Sequence, residues 1–222
     1  MSDPAGGPLG GLPAQCYVLA CDPERHTLPD RHQLGLLMRG ATLAELMLAG
    51  ALTDDNGFAR VAEGAPSDFP GVPGAVLAEV AASKPRRWGA WIRREWKPTL
   101  GQVEAGLSER GTIDVTTTKV LGIVMRRRVT IHDEPRALRL RAVVTDAVQG
   151  TGEVGLLTER DALLAGLATA VELRATGSVT ERWRLRRRIA DIQRRGEPVV
   201  PALRAAFGQL RAARTSGGSG GG

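Results

Sequence analysis

The stretch LGLLMRGATLAELMLAGALTDDNGFARV, from Leu34 to Val61, changes its period midway. Leu34, Leu37, Met38, Leu43, Leu46 and Met47 recur at intervals of three to five, the spacing of one helical face, and Gly50 supplies a stop. Beyond it, ALTDDNGFARV sets two short runs around Asn56-Gly57, a pair that accepts the positive φ demanded by a two-residue hairpin. Asp54 and Asp55 fall in that turn, where carboxylates ordinarily bond nearby backbone. A long apolar-faced helix followed by a small hairpin predicts a mainly α fold with hairpins at its periphery.

The same pattern continues outward from this stretch. Helical spacing begins near Leu12, and residues 1–11 and 215–222 read as tails, because Gly-, Pro- and Ser-rich compositions bury too little apolar surface to order themselves. Residues 12–214 then form one helical domain, a size suited to a single core. Gly74 to Ser83 reads as a short Ala-rich helix. Thr99 and Gln102 suggest a capping box opening a helix that stops at Gly111. Thr112 to Asp133 is rich in β-branched residues and reads as a second hairpin, and Pro135 to Val148 as a helix. Thr158 and Asp161 frame another helix, whose Leu163, Leu164, Leu167, Ala168, Ala170 and Val171 are apolar almost all round. That helix is expected to be the buried centre of the fold. Thr180 to Arg195 reads as a basic amphipathic helix with a narrow Leu185, Ile189, Ile192 stripe.

The segment KPRRWGAWIRREWK, Lys84 to Lys97, holds three of the four tryptophans. On a continuous helix at about 100° per residue, Trp88, Trp91, Ile92 and Trp96 share one arc. Arg86, Arg87, Arg93, Arg94 and Lys97 share the other. A helix so divided suits a lipid interface, with indoles at headgroup depth and guanidinium groups on phosphates. The alternative is that the tryptophans are core and the cations a solvated face. The tip of the second hairpin repeats the theme: apolar Val120, Leu121, Ile123 and Val124 stand beside Arg126, Arg127 and Arg128. Such a tip fits a membrane-inserting element, or else cover for the domain's own core.

The 222 residues carry 30 Lys and Arg against 24 Asp and Glu, a net charge of +6, which favours an anionic partner, membrane surface or nucleic acid. Only three of the cations are lysines, and arginine recognises phosphate bidentately. No apolar run reaches the ~20 residues of a membrane span, and the start shows no signal-peptide pattern. A peripheral protein on the cytoplasmic face of the membrane is the expectation. The two cysteines, Cys16 and Cys21, read as buried thiols in a reducing compartment. With His26 and His32 they lack the ligand spacing of a zinc finger, so no metal or other cofactor is expected. No P-loop, HExxH or paired-cysteine signature is present, and nothing marks an enzyme.

Taken in order, LMRGATLAELMLAGAL (Leu37 to Leu52) with the TDDNGFARV hairpin, the Trp- and Arg-rich approach to VEAGLSERGTI, then VLGIVMRRRVTIHDEPRALRLRAVV and TERDALLAGLATAVEL resemble the Golgi phosphoprotein 3 family, especially its bacterial, actinobacterial-type branch. The resemblance spans roughly Leu12 to Arg195. It implies a mainly α-helical globular domain with peripheral hairpins and phosphatidylinositol 4-phosphate binding in a basic pocket. It also implies membrane insertion of a hydrophobic hairpin and, in eukaryotic relatives, adaptor work on glycosyltransferase tails. The family pocket uses a tryptophan, an arginine on the first long helix, and two arginines three residues apart. The helix arginine corresponds to Arg39. The tryptophan corresponds to Asp30, and the paired arginines to Lys97 and Leu100, so the family's set is only partly kept.

The expected headgroup contacts are therefore Arg39, Arg93, Arg94, Lys97 and Trp88, with Val120, Leu121, Ile123, Val124, Arg126, Arg127 and Arg128 as the membrane-inserting hairpin. The function expected is binding of phosphoinositide or another anionic phospholipid, with protein clients as further partners and the hairpin as a route to a homo-oligomer. A winged-helix-like nucleic-acid binder is the competing reading. The apolar tip suits hydrocarbon better than a groove of DNA and argues against it.

Overall fold

In the computed structural model, which describes the backbone of residues 10–120 and 124–217 and the side chains of 10–117 and 127–216, the chain enters the core at once. Helix α1 (Leu12–Ala20) is buried along its whole length. Helix α2 (Arg31–Leu48) starts where the Asp30 carboxylate accepts the N–H groups of His32 at 2.9 Å and Gln33 at 3.3 Å. It is buried from Leu34 to Leu46 and packs against α1. The hairpin follows as expected. β1 (Leu52–Asp55) pairs antiparallel with β2 (Phe58–Val61), and Asn56 and Gly57 take φ of 53° and 85°. Asp54 Oδ2 accepts the Gly57 N–H at 3.2 Å, the turn role its position implied.

Helix α3 (Val72–Ala82) leads to the Trp- and Arg-rich segment, and here the expectation of one continuous helix fails. Arg86–Arg87 is a short strand, β3, which adds to the hairpin by pairing Phe58 with Arg87 and Ala59 with Arg86. Helix α4 (Trp88–Arg93) stops at Arg94; Glu95 sits in the left-handed region at φ 48°, and α5 (Trp96–Glu109) begins beyond it. Pro98 explains the break: it has no N–H for the Arg94 carbonyl, and its ring would collide with that carbonyl in an unbroken helix. The capping box expected at Thr99 is also displaced. Thr99 lies within the first turn of α5, where its hydroxyl donates to the Glu95 carbonyl at 2.8 Å.

Strands β4 (Ile113–Val120) and β5 (Val124–Ile131) make the second hairpin, and Ile113, Val129 and Ile131 at its base are buried against the domain. Helix α6 (Glu134–Gln149) is capped by Asp133, and α7 (Glu159–Ala170) by Thr158, whose hydroxyl accepts the Asp161 N–H at 3.1 Å. Helix α7 is buried from Ala162 to Ala170 and packs on α1, α2, α6, α9 and α10, so the expected central helix is central. The basic stretch near the C-terminus is two helices, α8 (Val179–Arg184) and α9 (Arg186–Arg195), meeting at Leu185. Helix α10 (Val199–Gly217) had no counterpart in the sequence reading. Its Val199, Val200, Leu203, Ala206 and Phe207 are buried against α2, α4 and α7. It runs three residues into the stretch read as a tail, with the Thr215 hydroxyl bonded to the Ala212 carbonyl at 2.9 Å.

Candidate lipid-binding face

The tryptophans of residues 84–97 point inward. Trp91 is fully buried; Trp88 is buried and donates its Nε1–H to Asp54 Oδ1 at 2.5 Å, tying α4 to the first hairpin. Trp96 is half-buried and stacks on His32 with ring centroids 4.4 Å apart, tying the start of α5 to the start of α2. An indole face at headgroup depth is therefore absent here, because these rings fill the interior.

Arg39 is interior as well, at 1 % exposure. Its Nε donates to the Trp91 carbonyl at 3.0 Å, Nη1 to Thr99 Oγ1 at 3.3 Å, and Nη2 to the Glu79 carboxylate. A buried guanidinium demands this kind of satisfaction, since an uncompensated charge away from water is costly. The other Glu79 oxygen accepts from Arg94 Nε at 2.6 Å. One carboxylate thus joins α2, α3 and the break between α4 and α5.

What remains on the surface is cationic. Lys84, Arg86, Arg87, Arg93 and Lys97 are exposed, and none has a carboxylate partner among the described residues. Several are steadied by rings instead: Arg87 lies 5.0 Å over Phe58, Arg86 5.9 Å over Trp91, and Lys97 Nζ 5.5 Å over Trp96. Contacts of this kind contribute about 0.5–1 kcal/mol each at exposed sites and leave the charge facing water. Arg93 reaches Gln209 of α10 at 3.2 Å. Of the five expected headgroup residues, Arg93 and Lys97 lie exposed on this face with no carboxylate partner among the described residues. Arg94 is shared with Glu79, and Arg39 and Trp88 lie beneath it.

A cavity of about 510 Å³ lies between Pro13, Phe69, Val72 and Val103, and a cleft of about 660 Å³ between Arg110, His132 and Arg136. No residue of 84–97 lines either one. Asp30, which stands where the family pocket has its tryptophan, is occupied as the α2 cap and pairs with Arg214 of α10. Leu100 is fully buried.

These placements can be set beside known proteins. The Golgi phosphoprotein 3 (GPP34) family model matches residues 12–210, nearly the whole described chain. The chain belongs to the Golgi phosphoprotein 3 family. No curated protein matches it closely enough to add a nearer relative. The hairpin expected to enter the membrane in this family is only partly visible. Leu121 and Ile123 lie outside the described residues, as do the side chains of Val120, Val124 and Arg126. Of the flanking arginines, Arg128 is exposed, while Arg127 bonds Glu104 at 2.8 Å and so fastens β5 to α5. Glu104 also accepts the Tyr17 hydroxyl at 3.0 Å, joining α1 to the same point. No helix among the described residues is long and apolar enough to cross a membrane.

Sequence reasoning missed Glu79, Asp54, Phe58 and His32 as the partners that organise this face. Each is distant in sequence from the residue it holds, and the local hairpin pattern that contains Asp54 and Phe58 gives no sign of those partners. The proline at 98 was the one available signal that the segment could not be a single helix.

Proposed function

We propose that this protein is a peripheral membrane protein of the cytoplasmic face, from a bacterial branch of its family, that binds anionic phospholipid headgroups, phosphoinositides among them. It binds and does not transform its ligand. The observation that supports this reading is the set of exposed cations at Lys84, Arg86, Arg87, Arg93 and Lys97, unopposed by carboxylates among the described residues and mounted on a scaffold fixed from within by Trp88, Trp91 and the Arg39–Glu79 pair. Arg39 and Trp88 act as positioning residues, and the headgroup contacts fall to Arg93 and Lys97 with Arg86 and Arg87. The apolar tip, Val120 to Val124, supplies the hydrocarbon contact, because a basic patch alone or a single apolar anchor alone gives marginal attachment. Protein clients and oligomerisation through the hairpin are compatible additions.

Flotation with vesicles that are neutral, generally anionic, or doped with phosphatidylinositol 4-phosphate at matched charge tests this. Binding to both charged sets, weakened by salt, is expected. A preference for the phosphoinositide would assign headgroup recognition; absence from every anionic vesicle would overturn the reading in favour of an adaptor or a nucleic-acid binder.

A further inference from the structure

Helix α8 holds apolar side chains out into water. Val179 is 74 % exposed and Trp183 is 64 % exposed, and at i and i+4 they share one face of the helix. Trp183 is the tryptophan of this chain that is not built into the core. The helix carrying it is firmly fixed: Ser178 and Glu181 form a reciprocal capping box, and Arg182 bonds both the Gly177 carbonyl and the Glu172 carboxylate, at 3.6 Å for the latter. The exposure is thus a held geometry rather than a frayed end.

The surroundings are strongly basic. Arg184, Arg186 and Arg187 are exposed and without carboxylate partners among the described residues, and the Arg186 guanidinium lies 4.7 Å over the Trp183 ring. Alongside α9 runs the loop of residues 150–157, clamped to it by Arg188 at the Gly152 carbonyl (2.5 Å) and Arg195 at the Val154 carbonyl (2.7 Å), while Arg188 also reaches the Ala147 carbonyl of α6 (2.8 Å). That loop lifts Leu156 to 82 % exposure.

We infer that the α8–α9 edge is a second lipid contact, in which Val179 and Trp183 enter the headgroup region of an anionic bilayer while Arg184, Arg186 and Arg187 meet its phosphates. An indole with a neighbouring aliphatic group suits the water–lipid boundary, and guanidinium groups around it select a negative surface. A nucleic acid would use the arginines but has no place for the exposed valine and leucine. The inference rests on the membrane role proposed above but uses none of the same residues, so the two contacts fail separately.

The test is quenching of tryptophan emission by vesicles of brominated phosphatidylglycerol, with Trp183→Phe and the pair Val179→Asp/Trp183→Ala. Since the other indoles are buried or stacked, the wild-type signal should be quenched and Trp183→Phe should lose most of that quenching. The double variant should partition about tenfold more weakly, from the lost apolar burial, and its circular dichroism and melting should match wild type because both side chains are exposed. Full quenching in Trp183→Phe, or unchanged partitioning of the double variant, overturns the second contact. If Arg86→Glu/Arg87→Glu loses flotation while the double variant does not, the first face stands alone. The reverse pattern leaves α8–α9 as the membrane contact and removes the first. A dimer that dissolves in Trp183→Ala, or capture of a duplex oligonucleotide without any quenching by vesicles, would also overturn it, in favour of a second copy or of nucleic acid.

Discussion

Glu79 lies between Arg39 and Arg94, giving one carboxylate oxygen to the buried guanidinium and the other to the exposed one at 2.6 Å. The two cations have different needs. Arg94 can turn to water if the carboxylate goes, whereas Arg39 has no such exit. Glu79→Ala should therefore destabilise the fold by about 3 kcal/mol, the scale seen when one partner of a buried pair is removed. Arg39→Ala should cost at least as much, since it also frees the Trp91 carbonyl and opens a cavity. Urea unfolding checks both. A loss below ~1 kcal/mol for Glu79→Ala would mean that the pair behaves as a surface bridge.

Gly35 is needed for the same assembly. A Cβ placed there would come within 2.3 Å of Trp96 Cε3, closer than side-chain flexing can absorb while the ring stays on His32. Gly35→Ala should expel Trp96 from its stack, destabilise by roughly 1–3 kcal/mol, and red-shift the tryptophan emission. An unshifted spectrum with unchanged stability would place Trp96 elsewhere.

Much of this fold was legible in the sequence because local chemistry decided it. Asn56-Gly57 dictated its turn, Thr158 its cap, and the all-round apolar surface of 163–171 its burial. In the Lys84 to Lys97 segment the alternative that the tryptophans are core is borne out for Trp88 and Trp91, but the single helix is not, because a helical wheel assumes continuity. It ranked Trp88 and Trp91 by polarity, while the third strand at Arg86–Arg87 and the break at Glu95 depended on Phe58 and Pro98. Helix α10 had a usable spacing at 199, 200, 203, 206 and 207, masked by its run into a Gly/Ser stretch. The role of Arg39 was illegible for a different reason. An arginine in an apolar helix looks the same whether it serves a ligand or a carboxylate forty residues away, and only the packing of α3 distinguishes the two.

Cys16 and Cys21 should be silent in the native protein. Burial, then the nearby Glu45 carboxylate, pushes the Cys16 thiol far above its usual range, and burial raises Cys21 too. A thiol reagent at pH ~8, near the ordinary cysteine value, should label neither site until denaturant is added, and then both. Rapid native labelling of one would show that α1 opens locally.

The capping box on α8 gives an acid dependence of definite sign. The Ser178 side chain and then its backbone N–H favour the ionised Glu181 carboxyl, which lowers its pKa below the ordinary 4.5. A depressed carboxylate adds stability that is present above its ordinary pKa and is lost as pH falls through the depressed one. Carboxyl titration by NMR should show Glu181 protonating at lower pH than an ordinary glutamate, and Ser178→Ala should return it towards the usual value. A Glu181 titration unaffected by Ser178→Ala would mean the box does not form in solution.

Charge on the first face is the most direct test of the membrane role. Arg86 and Arg87 pair with β2 through their backbones, so their side chains can be replaced without touching the strand hydrogen bonds. Each cation near an anionic surface contributes at most about 1 kcal/mol, so Arg86→Glu/Arg87→Glu should weaken binding to anionic vesicles roughly ten- to a hundredfold. The substitution also removes the ring contacts at Phe58 and Trp91, a small loss in folding stability that melting would register separately. Raising salt should weaken wild-type binding more steeply than that of the variant, because part of the screened attraction has already been removed. If the variant binds as tightly as wild type and keeps the same salt slope, the attraction comes from other arginines, and Lys84 to Lys97 is then a solvated face over a tryptophan-filled core.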